Sequence, residues 1–345
     1  MKRNISMVLA ALFLAVLLGA CGQESAVPES VEQADQIHVI CTIFPPYDFV
    51  REIAGDLVSV EMLLPPGGES HSFEPSPRDI TKIRDCDVFI YVGGHSDAWV
   101  QKVLDNMDTS DMKIIALMDC VDVVTEEIVE GMEHEHGDDH EHADEDHEHA
   151  DEDHDHADED HEHEHEHEEP EYDEHVWTSP KNAKTIVEKI SELLCQADEK
   201  NEKSYRENTS SYLAELDALD LAFREVVDQG QRKTLIFGDR FPFRYFADAY
   251  GLDYFAAFPG CSTQTEANAA TIAFLIEKIR SENIPVVFHV ELSGMKMVNI
   301  LHEETAAEVL LFHACHNVTQ AEMDAGANYL DIMRQNVENL RTALS

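Results

Sequence analysis

Basic residues are scarce in this chain. Over 345 residues, 24 Lys+Arg face 71 Asp+Glu, and the formal net charge is −47 with 20 His counted neutral. A surface this negative repels phosphate backbones, which excludes general nucleic-acid binding and points to cationic partners. No second apolar run of spanning length follows the first 20 residues, so no permanent transmembrane helix is expected. There is no CxxC and no dense cysteine framework, and no HExxH phrase, which removes a disulfide scaffold and the commonest zinc-hydrolase signature. Hydrophobic residues at 43% still leave ample material for buried cores, and the length predicts two domains.

Met1-Lys2-Arg3-Asn4 is a short basic start, and Ile5 to Leu18 is apolar apart from Ser6. This stretch is too short and wrongly flanked for a permanent span and reads as a secretory signal. It closes on Leu18-Gly19-Ala20-Cys21, which resembles a bacterial lipobox, so residues 1–20 are expected to be removed and Cys21 lipidated. The mature chain would then stand at the outer face of the bacterial cytoplasmic membrane, held by its lipid and by a polar tether over residues 21–36. Export permits disulfides. Cys41, Cys86 and Cys195 lie in apolar or strand-like contexts that suit buried thiols, whereas Cys261 and Cys315 could pair across the C-terminal half.

Beyond the tether, Ile37 to Ile43, Val58 to Leu64, Asp87 to Val92 and Lys113 to Leu117 read as strands, with helical spacing over Pro45 to Gly55, Asp79 to Arg84 and Asp97 to Met107. Such alternation predicts a parallel sheet with crossover helices. Helical periodicity then takes over, opening with Ser179 as N-cap before Pro180. From Asp198 to Asp228 there is no Gly or Pro, and Tyr205, Tyr212, Leu216, Leu219 and Phe223 recur at helical spacing, so one long helix is expected, able to join two domains rigidly. Thr234 to Phe237, Ala256 to Phe258, Pro285 to Val290 and Val309 to Phe312 alternate with helices as a second α/β domain. The expected divisions are an N-terminal lobe over 37–200, a linking helix over 201–230 and a C-terminal lobe over 231–345.

One block stands apart. From Glu133 to Glu169 there are 21 Asp+Glu, 12 His and no Lys or Arg, so it carries −21 of the net charge. A short repeat, His-Ala-Asp-Glu-Asp-His, starts at His142, His149 and His156. Its period of seven is not a coiled-coil heptad, since Ala is its only apolar member. With nothing to bury against chain entropy, residues 133–169 are expected to be a disordered insertion in the first lobe. Solubility alone would need the acids but not the imidazoles. His134, His136, His140, His142, His147, His149, His154, His156, His161, His163, His165 and His167 therefore read as many overlapping weak metal sites, zinc above all. Their occupancy should weaken as pH falls through about 6 to 7.

A disordered chelator must be ordered for each ion, so a specific site needs ligands held on the fold. His71 lies in a proline-stiffened loop after a strand, Pro65-Pro66-Gly67-Gly68-Glu69-Ser70-His71-Ser72-Phe73-Glu74-Pro75-Ser76-Pro77. His175 sits just before a helix in Asp173-Glu174-His175-Val176-Trp177-Thr178-Ser179-Pro180. His313 and His316 follow a strand in Leu311-Phe312-His313-Ala314-Cys315-His316-Asn317. Ligands of parallel sheets gather beyond the carboxyl ends of strands, so these loops could converge on one crevice. His95 also ends a strand. His38, His289 and His302 read as surface or core residues.

These phrases, with the leader, resemble the ZnuA-like family of substrate-binding lipoproteins that feed zinc or manganese to bacterial ABC importers. The resemblance covers essentially the whole chain, and a His-rich acidic insertion before the His175 phrase is typical of its zinc-binding members. It implies two α/β lobes, each with a parallel four-stranded sheet and flanking helices, joined by a long backbone helix, with one metal clamped between them. The implied N-terminal ligands match His71 and His175. The implied third ligand falls at Arg240, which cannot ligate, with Asp239 beside it as a substitute after a one-residue shift. The fourth falls at His313, with His316 as a rival. A histidine in place of the family's usual Asp shifts preference toward Zn²⁺ and away from Mn²⁺. The implied partners are a membrane permease with its cytoplasmic ATPase, and a monomer is expected. The other readings are a zinc hydrolase using Glu74 or Glu291 as base, and a surface adhesin or zinc buffer.

Overall fold

Most strands of this chain are short apolar runs, the pattern of parallel sheets covered on both faces, while the edge strand Ser59–Met62 alternates. In the computed structural model, which describes residues 36–132, 171–261 and 267–345, His38–Cys41 (β1), Ser59–Met62 (β2), Val88–Tyr91 (β3) and Lys113–Ala116 (β4) form a sheet in the order β2-β1-β3-β4, with every pairing parallel. Its crossovers carry Phe44–Ala54 (α1), Pro77–Arg84 (α2) and Ala98–Leu104 (α3). Prolines at the start of α1 and α2 sit where the helix needs no N–H, and Ser76 with Asp79 closes a capping box on α2.

Pro180–Ala197 (α4) leads to the long helix expected from the sequence, Glu202–Gln229 (α5), of 28 residues. Tyr205, Thr209, Tyr212, Leu216, Leu219, Phe223, Val226 and Val227 make its buried stripe, spaced one to four apart. A second sheet then repeats the wiring of the first. Thr234–Phe241 (β5), Asp253–Pro259 (β6), Val286–His289 (β7) and Glu308–Leu311 (β8) run parallel in the order β6-β5-β7-β8. The connections carry Arg244–Tyr250 (α6), Ala269–Glu282 (α7) and Lys296–Thr305 (α8), and the chain ends with Gln320–Asp324 (α9) and Tyr329–Leu344 (α10). The two four-stranded parallel sheets and the joining helix are the architecture that the resemblance implied.

The helix joins the sheets by burial. α5 packs on α1 and α4 from the first half and on α6 and α10 from the second, with the Phe223 ring 4.8 Å from that of Phe246. One hydrophobic core runs from Val39 and Val88 through α5 to Phe237 and Phe288, and Ile37–Ser345 packs as one compact unit. The six described cysteines, Cys41, Cys86, Cys120, Cys195, Cys261 and Cys315, are free thiols, so the pairing of Cys261 with Cys315 is not made. Cys41, Cys86, Cys195 and Cys315 are buried. No helix among the described residues is long and apolar enough to cross a membrane.

The expected leader, Cys21 and the histidines of 133–169 lie outside the described residues. The flanks of the insertion are described, and they pair. Thr125 and Tyr172 form an antiparallel bridge, with Glu126 N–H donating to Glu171 O (2.9 Å) and Asp173 N–H to Val124 O (2.9 Å). Both flanks meet the second half at Tyr245, whose hydroxyl donates to Asp173 O (2.7 Å) and accepts from Val124 N–H (3.2 Å).

Asp48 in α1 is fully buried and accepts the N–H of Tyr329 at the start of α10 (2.7 Å). Burial pushes its carboxyl up to about 7, against the Tyr329 bond and Arg51, with Glu52 and Asp331 adding repulsion. Between about pH 4 and about pH 7 the native protein then holds a proton that the unfolded chain has released, so stability falls as pH rises through that window. Asp48→Asn keeps an acceptor for Tyr329 but cannot ionise. Its melting temperature should gain on that of the native sequence as pH is raised from about 5 to about 8, and a constant difference would refute this role for Asp48.

Candidate metal centre

The carboxyl ends of parallel strands open into loops, and here loops from both sheets meet. The first, between β2 and α2, turns at Gly67 (φ 78°). It is pinned to the second half where Gly67 N–H donates to Val318 O (2.8 Å) and the Asn317 amide donates to Pro65 O (2.8 Å) and Gly68 O (3.0 Å). This loop carries His71, whose Nδ1 bonds the Ser96 hydroxyl (2.8 Å) and so leaves Nε2 for a ligand.

His175 follows the paired flanks of the insertion and precedes α4. It is fully buried. Asp173 Oδ1 takes both its backbone N–H (2.8 Å) and its Nδ1 (3.0 Å), which fixes the ring and aims Nε2 inward. That Nε2 is buried with no partner among the described residues, as expected of a donor that waits for an ion. The approach is close: a Cβ on Gly260, just past β6, would stand 3.3 Å from the His175 ring and 2.9 Å from Phe241 O.

His316 comes from the loop after β8. Glu291, past β7, accepts the N–H groups of Ala314 (2.7 Å) and His316 (2.8 Å), and Cys315 between them takes a left-handed conformation (φ 59°). The His316 Nε2 bonds the Ser70 hydroxyl (3.0 Å). His71, His175 and His316 thus offer three ring nitrogens that all lie within 4.8 Å of one another, with ring centroids 4.9–5.6 Å apart. They line a cavity of about 40 Å³, together with Glu69, Arg240, Gly260 and Glu291. That is room for an ion and one small companion.

Two sequence expectations need correction. His313 is not turned into this cavity: Asn336 of α10 clamps its backbone from both sides (2.9 and 2.8 Å), and its Nδ1 accepts the Cys315 N–H (2.9 Å). The chain reverses at Cys315 and presents the rival, His316, instead. Asp239 does not join the cluster either. β5 continues through Phe241, and Asp239 accepts the N–H groups of Arg240 (2.9 Å) and Val290 (3.3 Å). The neighbouring Arg240 is the side chain that lines the cavity. His95 lies within electrostatic reach of His71 without joining the cluster, and His289 and His302 each bond a backbone carbonyl. Sequence reasoning missed Ser70, Ser96 and Gly260, which carry no motif of their own. It also missed Asp173 as the carboxylate that orients His175, for which the one available signal was its place two residues before that histidine.

The cluster is poised to be neutral at two of its three members. Burial pulls His71 down to about 3, with the charges of His175 and Arg240 helping, and burial likewise holds His316 well below the usual imidazole range. For His175, burial works downward but Asp173, Glu174 and Glu126 outweigh it, and its pKa is raised. Three nitrogen donors, one held by a carboxylate, suit a borderline divalent ion in tetrahedral geometry, Zn²⁺ above all.

The family described as zinc-uptake complex component A, periplasmic (ZnuA) matches residues 39–343. The chain is 31% identical over 337 residues to the high-affinity zinc uptake system protein ZnuA of Bacillus subtilis, covering 98% of this chain and 96% of that protein. It is also 31% identical over 341 residues to the zinc-binding lipoprotein AdcA of Streptococcus pneumoniae, covering 98% of this chain but 60% of that longer protein. Among solved structures it resembles the Zn(II)-bound ZnuA-like domain of Streptococcus pneumoniae AdcA, with a TM-score of 0.68 and 26% identity over 90% of this chain and 99% of that one. The family match runs from β1 to the end of α10 and takes in all three histidine loops, and on that basis the chain belongs to the ZnuA family.

Proposed function

We propose that this chain captures Zn²⁺ outside the cytoplasm and hands it to the permease of an ABC importer, working as a binding protein and not as an enzyme. The observation that carries the reading is the convergence of His71, His175 and His316 on one cavity with His175 Nε2 buried and unpartnered. The names of the Bacillus and Streptococcus relatives, a zinc uptake protein and a zinc-binding lipoprotein, support the same cargo. A donor set of three nitrogens with no carboxylate favours Zn²⁺ over Mn²⁺, which prefers oxygen. Lipidation at Cys21 would hold the chain at the outer membrane face, beside the permease it serves and in reach of ions collected by the histidines of 133–169. A hydrolase reading lacks its base: Glu74 is exposed outside the cavity, and both oxygens of Glu291 accept backbone N–H groups.

Calorimetry on the zinc-free protein tests the ligand set. His316→Ala should weaken tight zinc binding by more than about 100-fold, beyond the usual effect of losing an outer support, while His313→Gln should change it by less than about tenfold. The reverse order would move the site to His313. Removing residues 133–169 should abolish only weak zinc binding and leave one tight site, because the flanks of the insertion are already joined at Thr125 and Tyr172. Loss of the tight site on that deletion would sink the division of labour between fold and insertion.

A further inference from the structure

Three histidines leave a four-coordinate ion one ligand short. The carboxylates around the cavity are engaged elsewhere. Glu291 accepts two backbone N–H groups, Asp239 accepts two more, and Asp173 Oδ1 holds His175. Glu174 Oε1 accepts the Ser96 N–H (2.8 Å). Glu69 contacts Arg240 Nη1 through both oxygens at 3.3 Å and accepts the His71 N–H at 3.4 Å.

Arg240 is the odd member of the set. A guanidinium beside a cation site repels the ion, and imidazole ligands, which bring no negative charge, do nothing to offset that. Its contact with Glu69 is longer than the roughly 2.7–2.9 Å of a charge-assisted bond, and Glu69 is 47% exposed, so the pair is loose. Arg240 itself is 21% exposed and faces a cavity with room for one small companion to the ion. A negative group lodged between ion and guanidinium turns the repulsion into two attractions. Building on the zinc-binding reading above, we infer that this centre takes up Zn²⁺ together with a small monovalent anion from solution, which fills the fourth position on the ion and pairs with Arg240.

Chloride is the probe. With free Zn²⁺ held fixed by a chelator buffer and ionic strength held fixed with perchlorate, replacing perchlorate by chloride should raise the zinc affinity of the full chain about tenfold, as expected for a linked co-ligand near saturation. Arg240→Gln should lose that chloride dependence and bind zinc more tightly than the native sequence in perchlorate. X-ray absorption at the zinc edge in bromide should show one bromide beside three nitrogen donors, a reading that does not depend on any variant folding. The inference is overturned if the native protein binds zinc equally in both salts. It is also overturned if the fourth neighbour is an oxygen that disappears in Glu69→Gln, which would make Glu69 the ligand. A protein that binds no zinc in either salt, or whose tight binding survives His71→Ala, would instead overturn the zinc-site reading itself.

Discussion

The geometry of the centre depends on one buried indole. Trp177 lies two residues past His175, and its Nε1–H donates to the carbonyl of Ala314, two residues before His316 (2.7 Å). Its own carbonyl accepts the Tyr329 hydroxyl (2.7 Å), and the Tyr329 backbone N–H reaches back to Asp48 in the first half. The rings of His175 and His316 both abut the indole, at 5.6 and 5.0 Å. An indole has a single donor and two torsions, so once it is packed, its partner carbonyl has one place to be. The separation of His175 and His316, two candidate ligands from different halves of the fold, is therefore set by the core and not by the loops that carry them. Because Trp177 and Tyr329 are both fully buried, any displacement of one loop relative to the other would strand a polar group in the interior.

Charge is divided between attraction and recognition. A chain with a net charge of −47 draws cations from a distance, and that field is blind to their identity. Near the centre, the acids are put to a different use. Asp173, Glu174, Asp239 and Glu291 accept backbone N–H groups and hold loops and rings in place. A carboxylate satisfied in this way orients a ligand and has little reason to become one. The donors left to meet an ion are ring nitrogens, which discriminate by softness and geometry where a ring of carboxylates would also welcome Ca²⁺ and Mg²⁺.

Much of this was legible in the sequence, and the failures have definite causes. Mostly apolar strands separated by helical spacing predict both sheets, and the absence of Gly and Pro from 198 to 228 predicts the long helix. His71, in a proline-stiffened loop after a strand, and His175, just before a helix, were legible as residues that the fold brings together. The expected fourth position, His313, stays out of the cluster because Cys315 adopts a positive φ and the chain turns the rival His316 toward His71 and His175 instead. Asp239 stays out of the cluster because β5, expected to end at Phe237, runs on through a register shift to Phe241, and there Asp239 accepts the N–H groups of Arg240 and Val290 while Arg240 lines the cavity. The bridge between Thr125 and Tyr172 spans an insertion and leaves no local trace in composition or periodicity.

The same packing bears on how an ion would come and go under the function proposed above. Parting the two sheets would split a core that is continuous from Val39 to Phe288 and is reinforced by α5 along its length, at about 25 cal/mol for each Å² of apolar surface exposed. The loop that carries His71 is held across the crevice by the three bonds of Gly67 and Asn317, each worth about 0.5–1.5 kcal/mol net. Of the three histidines, His175 is the fully buried one, while His71 and His316 reach partway to the surface. An ion held as proposed above would therefore exchange through the mouth between His71 and His316, with the buried His175 as its floor. Lifting one loop costs less than opening the molecule, and under the proposed ligand set it would free one histidine at a time, so that an ion could leave in steps that a wholesale hinge would not provide.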